Sequence, residues 1–195
     1  MSAAANDREP AAGTFEIRAS RPEDLPAIRE IYAHHVLRGL ASFEITPPNL
    51  PELARRRDDV LARGLPHLVA LRDGRVSGYA YAAPYRPRPA YRYTVEDSVY
   101  VAPDQIGRGV GRALLGRLIE LCEAAGYRQM VAVIGDRGNG SSIGLHAALG
   151  FTQVGLLPSV GLKFGRWVDI VIMQRALGPG DGDLPGQRGA GRRDL

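Results

Sequence analysis

A carboxylate, a glycine loop, a histidine and two arginines carry the chemistry that this sequence allows. Glu96 lies in the run TVEDSVYV (94–101) among apolar residues, where burial could raise its pKa and make it a base near neutral pH. Pairing with Arg88 or Arg92 is the plainer alternative. Gly107, Gly109 and Gly111 follow directly. His146 falls seven residues after Asn139, two turns along a short helix and near a loop where Asn139 could bind a ligand amide; a structural histidine is the other reading. Arg86 and Arg88 stand on a proline-stiffened loop just before Glu96. They could clamp an anionic group through forked hydrogen bonds, or simply be solvated.

The glycines suit an anion. Spaced G-x-G-x-G and followed by an amphipathic run from Arg112 to Ala125, they clear side chains from the start of a helix. Unsatisfied N–H groups and the positive end of the helix dipole then face the loop, where a phosphate or pyrophosphate fits. A plain tight turn is the alternative. The loop continues Gly111-Arg112-Ala113 and so lacks the Lys-Ser/Thr pair that holds magnesium in a Walker motif, which disfavours nucleotide hydrolysis. A dinucleotide fingerprint needs G-x-G-x-x-G in the first βαβ unit; here the spacing differs and several strands come earlier.

These groups must be positioned by one domain, since 195 residues with 45% hydrophobic content suit a single well-buried core. No apolar run approaches the roughly 20 residues that span a bilayer, and the N-terminus lacks a basic stretch followed by an apolar one. A soluble, cytoplasmic protein is expected. The single cysteine, Cys122, leaves no disulfide and fits a reducing compartment; it is a poor candidate nucleophile. The net charge is +4, and Lys163 is the one lysine among many arginines. Arg55-Arg56-Arg57 is the densest basic run, but Asp58 and Asp59 follow at once, which reads as a solvated helix face rather than a nucleic-acid stripe. His34 and His35 are helix neighbours about 100° apart and cannot easily share a metal ion, so they read as surface or packing residues.

Residues 1–13 read as a disordered lead, 14–177 as the folded domain, and the Gly-, Asp- and Arg-rich 178–195 as a disordered tail. A first strand runs from Phe15 to Ala19. Ser20 and Glu23 match a capping box, and Leu25, Ile28, Ile31, Tyr32 and Val36 follow at helical spacing. Asn49 and Glu52 cap a second helix that stops at Gly64. His67 to Arg72 and Arg75 to Pro84 form a hairpin across Asp73-Gly74. The central strand and its helix are followed by a strand from Met130 to Ile134, a helix from Ser141 to Leu149, and strands near 152–157 and 168–174. The pattern is α+β, with helices interleaved among mostly hairpin-linked strands.

The acid-headed strand, the G-x-G loop with its helix, and the later segment NGSSIGLHAALGF (139–151) resemble the GCN5-related N-acetyltransferase superfamily. More narrowly, TVEDSVYVAP, MVAVIG, SIGLHAALGF and VGLKFGRWVDIVIMQ are similar to the phosphinothricin and methionine sulfoximine/sulfone N-acetyltransferase group, and the likeness runs from about Phe15 to Leu177. The resemblance implies a mixed, mostly antiparallel twisted sheet with flanking helices and a splayed central strand. It implies acetyl transfer from acetyl-CoA to a small primary amine by direct attack on the thioester, without a metal or nucleic acid, in a homodimer. The pyrophosphate would rest on Gly107, Arg108, Gly109, Val110, Gly111 and Arg112. The pantetheine arm would lie along Val99, Tyr100 and Val101 like an added strand, with Asn139 and Ser142 on its other side. A strand N–H would stabilise the oxyanion.

By the same resemblance Glu96 takes a proton from the substrate ammonium, directly or through water. His146 stands where the wider superfamily usually has a tyrosine that protonates the departing thiolate, so it would be the acid or share base duty. Phe43, Arg86, Pro87, Arg88 and Tyr91, with Glu96, Asp97 and Ser98, would line the substrate pocket. The competing readings are an acetyltransferase of another amine or of a protein N-terminus, and a non-catalytic acyl-CoA-binding module; Glu96 and His146 together argue against the last. One position departs from the family pattern. Ile106 stands before the first glycine, where Gln or Arg is common, with Gln105 one residue early. Backbone amides do most of the phosphate binding, so a modest loss of contacts is expected. Ile106→Arg should therefore tighten acetyl-CoA binding in an equilibrium titration, and unchanged affinity would refute this.

Overall fold

Asp73 and Gly74, both left-handed with φ of 51° and 73°, close the hairpin between β2 (His67–Arg72) and β3 (Arg75–Pro84) in the computed structural model, which describes residues 15–185. A turn of that hand matches the twist of its strands. Strand β1 (Glu16–Ala19) pairs antiparallel with β2, and β4 (Thr94–Val101) antiparallel with β3. Strand β5 (Gln129–Gly135) joins β4 in parallel. The hairpin β6 (Thr152–Lys163) and β7 (Arg166–Ala176) completes a seven-stranded sheet in the order β1-β2-β3-β4-β5-β7-β6. The helices among the described residues are α1 (Leu25–Arg38), α2 (Leu50–Ala62), α3 (Val110–Ala124) and α4 (Gly140–Ala148). The expected mixed, mostly antiparallel α+β domain is present.

Strand alternation divides the core between the two faces. Val69 and Tyr79 turn to the side covered by α1 and α2, where they meet Leu25, Ile28, Tyr32, Val36 and Leu53. Leu68, Ala70, Ala80, Ala82 and Val95 turn the other way, against Val110, Leu114, Leu115 and Leu118 of α3. The small residues of β3 let α3 sit close. A Cβ on Gly78 would lie 3.0 Å from Val110 and 3.1 Å from Leu114.

The sheet is continuous at one end and divided at the other. Strands β4 and β5 pair only where Thr94 to Asp97 faces Gln129 to Ala132. Beyond that point β4 stays with β3 out to Val101, while β5 stays with β7 out to Gly135. This is the splay that the resemblance implied. The loop 39–44 crosses the freed end of β5 so closely that a Cβ on Gly135 would lie 2.1 Å from the Leu40 carbonyl oxygen.

Several local expectations change. The Ser20–Glu23 capping box does not form, because Pro22 opens a short 3₁₀ turn and moves the cap one residue on. Asp24 accepts the Arg21 N–H at 2.7 Å and also binds Arg18, while Ser20 takes the Arg57 guanidinium on its hydroxyl and carbonyl. The last hairpin extends well past 157 and starts before 168. Pro158 and Ser159 (φ 55°) fall where the register shifts between Leu157 and Gly161 of β6, and an edge strand tolerates such a break. Residues 178–183, read as the start of a disordered tail, instead fold back in turns, with Arg128 paired to Asp183 at 2.7 Å. The lead at 1–13 and the tail from 186 lie outside the described residues. Because neither the Leu40 carbonyl nor β5 can move independently, Gly135→Ala should lower stability by about 1–3 kcal/mol in a denaturant titration.

Candidate active site

The divided sheet opens a cleft in two parts, a chamber of about 550 Å³ and a groove of about 760 Å³. Val99, Tyr100, Asn139, Ser142 and His146 border both, so the two meet along β4 and the start of α4.

The groove begins at the glycine loop. Gly107 and Gly109 hold φ of 78° and 85°, which a side chain would strain, and α3 starts at Val110, its first turn bordering the groove. Gly111 and Arg112 line it too, and Arg38 and Arg166 add positive charge from α1 and β7. Val99 and Val101 supply an edge of β4 that has no strand beside it beyond Asp97. His35 closes part of that edge, its ring Nε2 lying 2.9 Å from the Val101 carbonyl oxygen. Burial lowers the His35 pKa, so a neutral ring donates this bond. On the far side Asn139 caps α4, its Oδ1 accepting the Ser142 N–H at 3.2 Å. The cradle, the basic walls and the open strand edge fit a long anionic ligand carrying amides.

The chamber lies on the α1/α2 side of β4, which alternation presents through Glu96, Ser98 and Tyr100. Its opposite wall is the loop 41–44, pinned at Ser42, Phe43 and Glu44. Tyr32 and Ser42 share a hydroxyl bond of 2.9 Å, the Lys163 ammonium donates to the Ser42 carbonyl at 2.6 Å, the Phe43 ring covers Gly161, and Arg56 binds Glu44. Burial raises the Glu96 pKa and the neighbouring Asp97 charge adds to this, with Arg86 opposing. Burial also pushes the Tyr32 phenol up to about 12, so it stays a neutral hydrogen-bonding group. Among the described residues no cluster of His, Cys, Asp and Glu could hold a metal ion, and no helix is long and apolar enough to cross a membrane.

The sequence-predicted residues divide accordingly. Phe43, Glu96 and Ser98 stand in the chamber wall, and Val99, Tyr100, Val101, Gly107, Gly109, Val110, Gly111, Arg112, Asn139 and Ser142 in the groove wall. Arg108 is exposed and does not border the groove. Arg86, Pro87, Arg88 and Tyr91 are exposed and outside the chamber wall, because the loop packs on itself: Arg86 lies over the Tyr85 ring and Tyr91 meets the same ring edge-on. Asp97 borders the chamber, but alternation turns its carboxylate to the α3/α4 side, where it meets His146 at 3.0 Å. His35, Arg38, Leu40 and Arg166 were not foreseen. Each comes from a distant element and carries no local motif.

An anion cradle leading along an unpaired strand edge to a carboxylate-bearing chamber suits a transferase that moves a group from an elongated donor to a small acceptor. Residues 27–151 match the model of the acetyltransferase (GNAT) family. The chain is 60% identical, over 87% of its length and 86% of the relative's, to a phosphinothricin N-acetyltransferase of Alcaligenes faecalis. It is 45% identical, over 84% of its length and 95% of the relative's, to an L-methionine sulfoximine/L-methionine sulfone acetyltransferase of Pseudomonas aeruginosa. Among solved structures, a GNAT superfamily phosphinothricin acetyltransferase from Sinorhizobium meliloti, in complex with AcCoA, superposes with a TM-score of 0.86 at 46% identity, covering 90% of this chain and 95% of that one. The chain belongs to the GNAT family of acetyltransferases.

Proposed function

We propose that this acetyltransferase carries the acetyl group of acetyl-CoA to the amino group of a small amino-acid analogue, with phosphinothricin, methionine sulfoximine and methionine sulfone as acceptors, and so serves detoxification. The observation that carries this reading is Glu96, a half-buried carboxylate of raised pKa in a chamber that opens onto the cofactor-shaped groove. Identity of 60% to a phosphinothricin N-acetyltransferase supports the choice of acceptor. The diphosphate rests at the start of α3, and the pantetheine amides pair with the β4 edge at Val99. Glu96 takes the proton from the entering ammonium, and the freed amine attacks the thioester carbonyl; the adduct then gives up its nitrogen proton as the C–S bond breaks, and the departing coenzyme A thiolate takes up a proton from water. In this reading an N–H of the open β4 edge meets the negative charge on that carbonyl oxygen. Arg86 acts from outside the chamber wall, drawing anionic acceptors in through its field rather than through a fork.

Thiol release from acetyl-CoA should occur with the three analogues and not with common amino acids. Glu96→Gln should lower kcat by about 10²–10⁴-fold while acetyl-CoA affinity stays unchanged. In the wild type kcat/KM should rise with pH through a pKa above the ordinary 4.5 of glutamate, since the base works ionised. Full turnover in Glu96→Gln would remove it from this role.

A homodimer is proposed on a second observation. Val154, Leu156, Leu157, Val160, Leu162, Phe164 and Trp167 on the β6–β7 hairpin are 41% to 65% exposed, and the outer strand of that hairpin, β6, has no further strand beside it among the described residues. So much apolar surface on a free edge needs cover, and a second copy of this hairpin supplies it symmetrically. The wild type should sediment at twice the 21.0 kDa of the chain. Leu162→Asp combined with Trp167→Asp should sediment as a monomer, and an unchanged mass would refute this face. The lone buried thiol, Cys122, needs no oxidising compartment, which supports a cytoplasmic setting.

A further inference from the structure

The hydrogen bonds of His146 count its protons. Nδ1 lies 2.7 Å from the Ser142 carbonyl oxygen, and Nε2 lies 3.0 Å from Asp97 Oδ2. A carbonyl oxygen only accepts, so Nδ1 carries a proton. With His146 neutral, Nε2 would then present a lone pair to a carboxylate oxygen. The two side chains are 5% and 2% exposed, and at that depth an unbridged pair of acceptors is costly. One more proton must lie between them. Burial opposes charge on His146, but the hydrogen bond and charge of Asp97, helped by the Ser142 carbonyl, outweigh it and raise the histidine pKa.

The surroundings leave this pair to itself. Asp97 Oδ1 has no hydrogen-bond partner among the described residues, so His146 is what compensates the carboxylate. Cys122 on α3 faces Asp97, but its thiol, pushed up to about 12 by burial and then by the Asp97 charge, stays neutral. Glu96 is the neighbour on the same strand, and Phe151 meets the imidazole edge-on at 5.0 Å. Asp97 is also the last residue of β4 that pairs with β5, opposite Ala132. His146 belongs to the same short helix as Asn139 and Ser142, which border the groove.

We propose that Asp97 is a positioning residue for acetyl transfer: its carboxylate holds His146 as an imidazolium beside the point where β4 and β5 part, and through it sets the first turn of α4 against the acetyl-CoA groove. This rests on the acetyl-transfer reading but on no particular acceptor. Both ring nitrogens are engaged, so His146 offers no free lone pair for base duty and no free N–H for the departing thiolate. The acid or shared-base role implied by resemblance gives way to a structural charge, and Glu96 is left as the sole base.

Nitrogen-15 histidine spectra of the full chain should show His146 protonated on both nitrogens at pH 7.5. In Asp97→Asn, whose amide can still face Nε2 but carries no charge, the ring should become neutral. Acetyl-CoA binding, measured by calorimetry without any acceptor, should weaken roughly ten-fold in Asp97→Ala, the scale of one lost charge-assisted hydrogen bond. Asp97→Asn should recover most of that loss. The Asp97→Ala/His146→Gln double variant should bind no worse than Asp97→Ala, since both residues act through one contact. A neutral His146 in the wild type, unchanged affinity in Asp97→Ala, or additive losses in the double variant would each overturn the proposal. Should Asp97→Ala fail to fold, the wild-type and Asp97→Asn spectra still decide it. Silence with every acceptor would count against the acceptor assignment alone, because the binding measurement uses none.

Discussion

The parting of β4 from β5 after Asp97 and Ala132 is the constraint on which the rest of this molecule depends. A strand edge in the interior of a sheet normally meets another strand, because buried backbone groups without partners are costly. Here that edge is deliberately left open over Val99 to Val101, and the surrounding elements are arranged to keep it so. His35 takes the Val101 carbonyl, α4 begins on one side with its own cap at Asn139, and the loop 39–44 lies across the end of β5. Were β4 and β5 paired to their ends, neither the groove nor the chamber would exist.

Holding two arms apart needs rigid bracing on both faces of the sheet. On the α3 side it is dense apolar packing, with Leu114, Leu115 and Leu118 fully buried against alanines of β3. On the α1/α2 side it is polar. Tyr32, Ser42, Lys163, Arg56 and Glu44 fasten one short loop to three distant elements through bonds that each satisfy a buried or half-buried group. That polar bracing also explains why Glu96 has its character. The walls half-bury the carboxyl beside the Asp97 charge, with no ion pair to it among the described residues, so its pKa rises, whereas Asp24, bound by Arg18, is held low.

Much of the site was readable because its parts are local. The acid on an extended run, the glycines at the start of a helix and the Asn49 cap each involve residues within a few positions of one another, and each appears where its spacing implied. Other expectations give way in three dimensions. The resemblance puts Arg86 and Arg88 in the chamber wall, yet a loop rich in proline and tyrosine packs on itself and stays outside. Asp97 follows Glu96 at once, and a strand sends neighbours to opposite faces, so adjacency there means separation. The last hairpin runs through Pro158 and Gly161, beyond the strands expected near 152–157 and 168–174, because an edge position with an irregular register accommodates them.

The sequence by itself determined the periodicities, the Asn49 cap, the Asp73-Gly74 turn and the amphipathic faces, since these depend on the side-chain period and on backbone preferences within a few residues. It also carried the family likeness. Only the tertiary structure decided that His35 and Arg38 of α1, the loop at Phe43 and Arg166 of β7 converge on one cleft, and that His146 faces Asp97 across 49 positions. Such contacts are set by how the sheet divides and how helices dock on it, and no spacing along the chain encodes a distance through space.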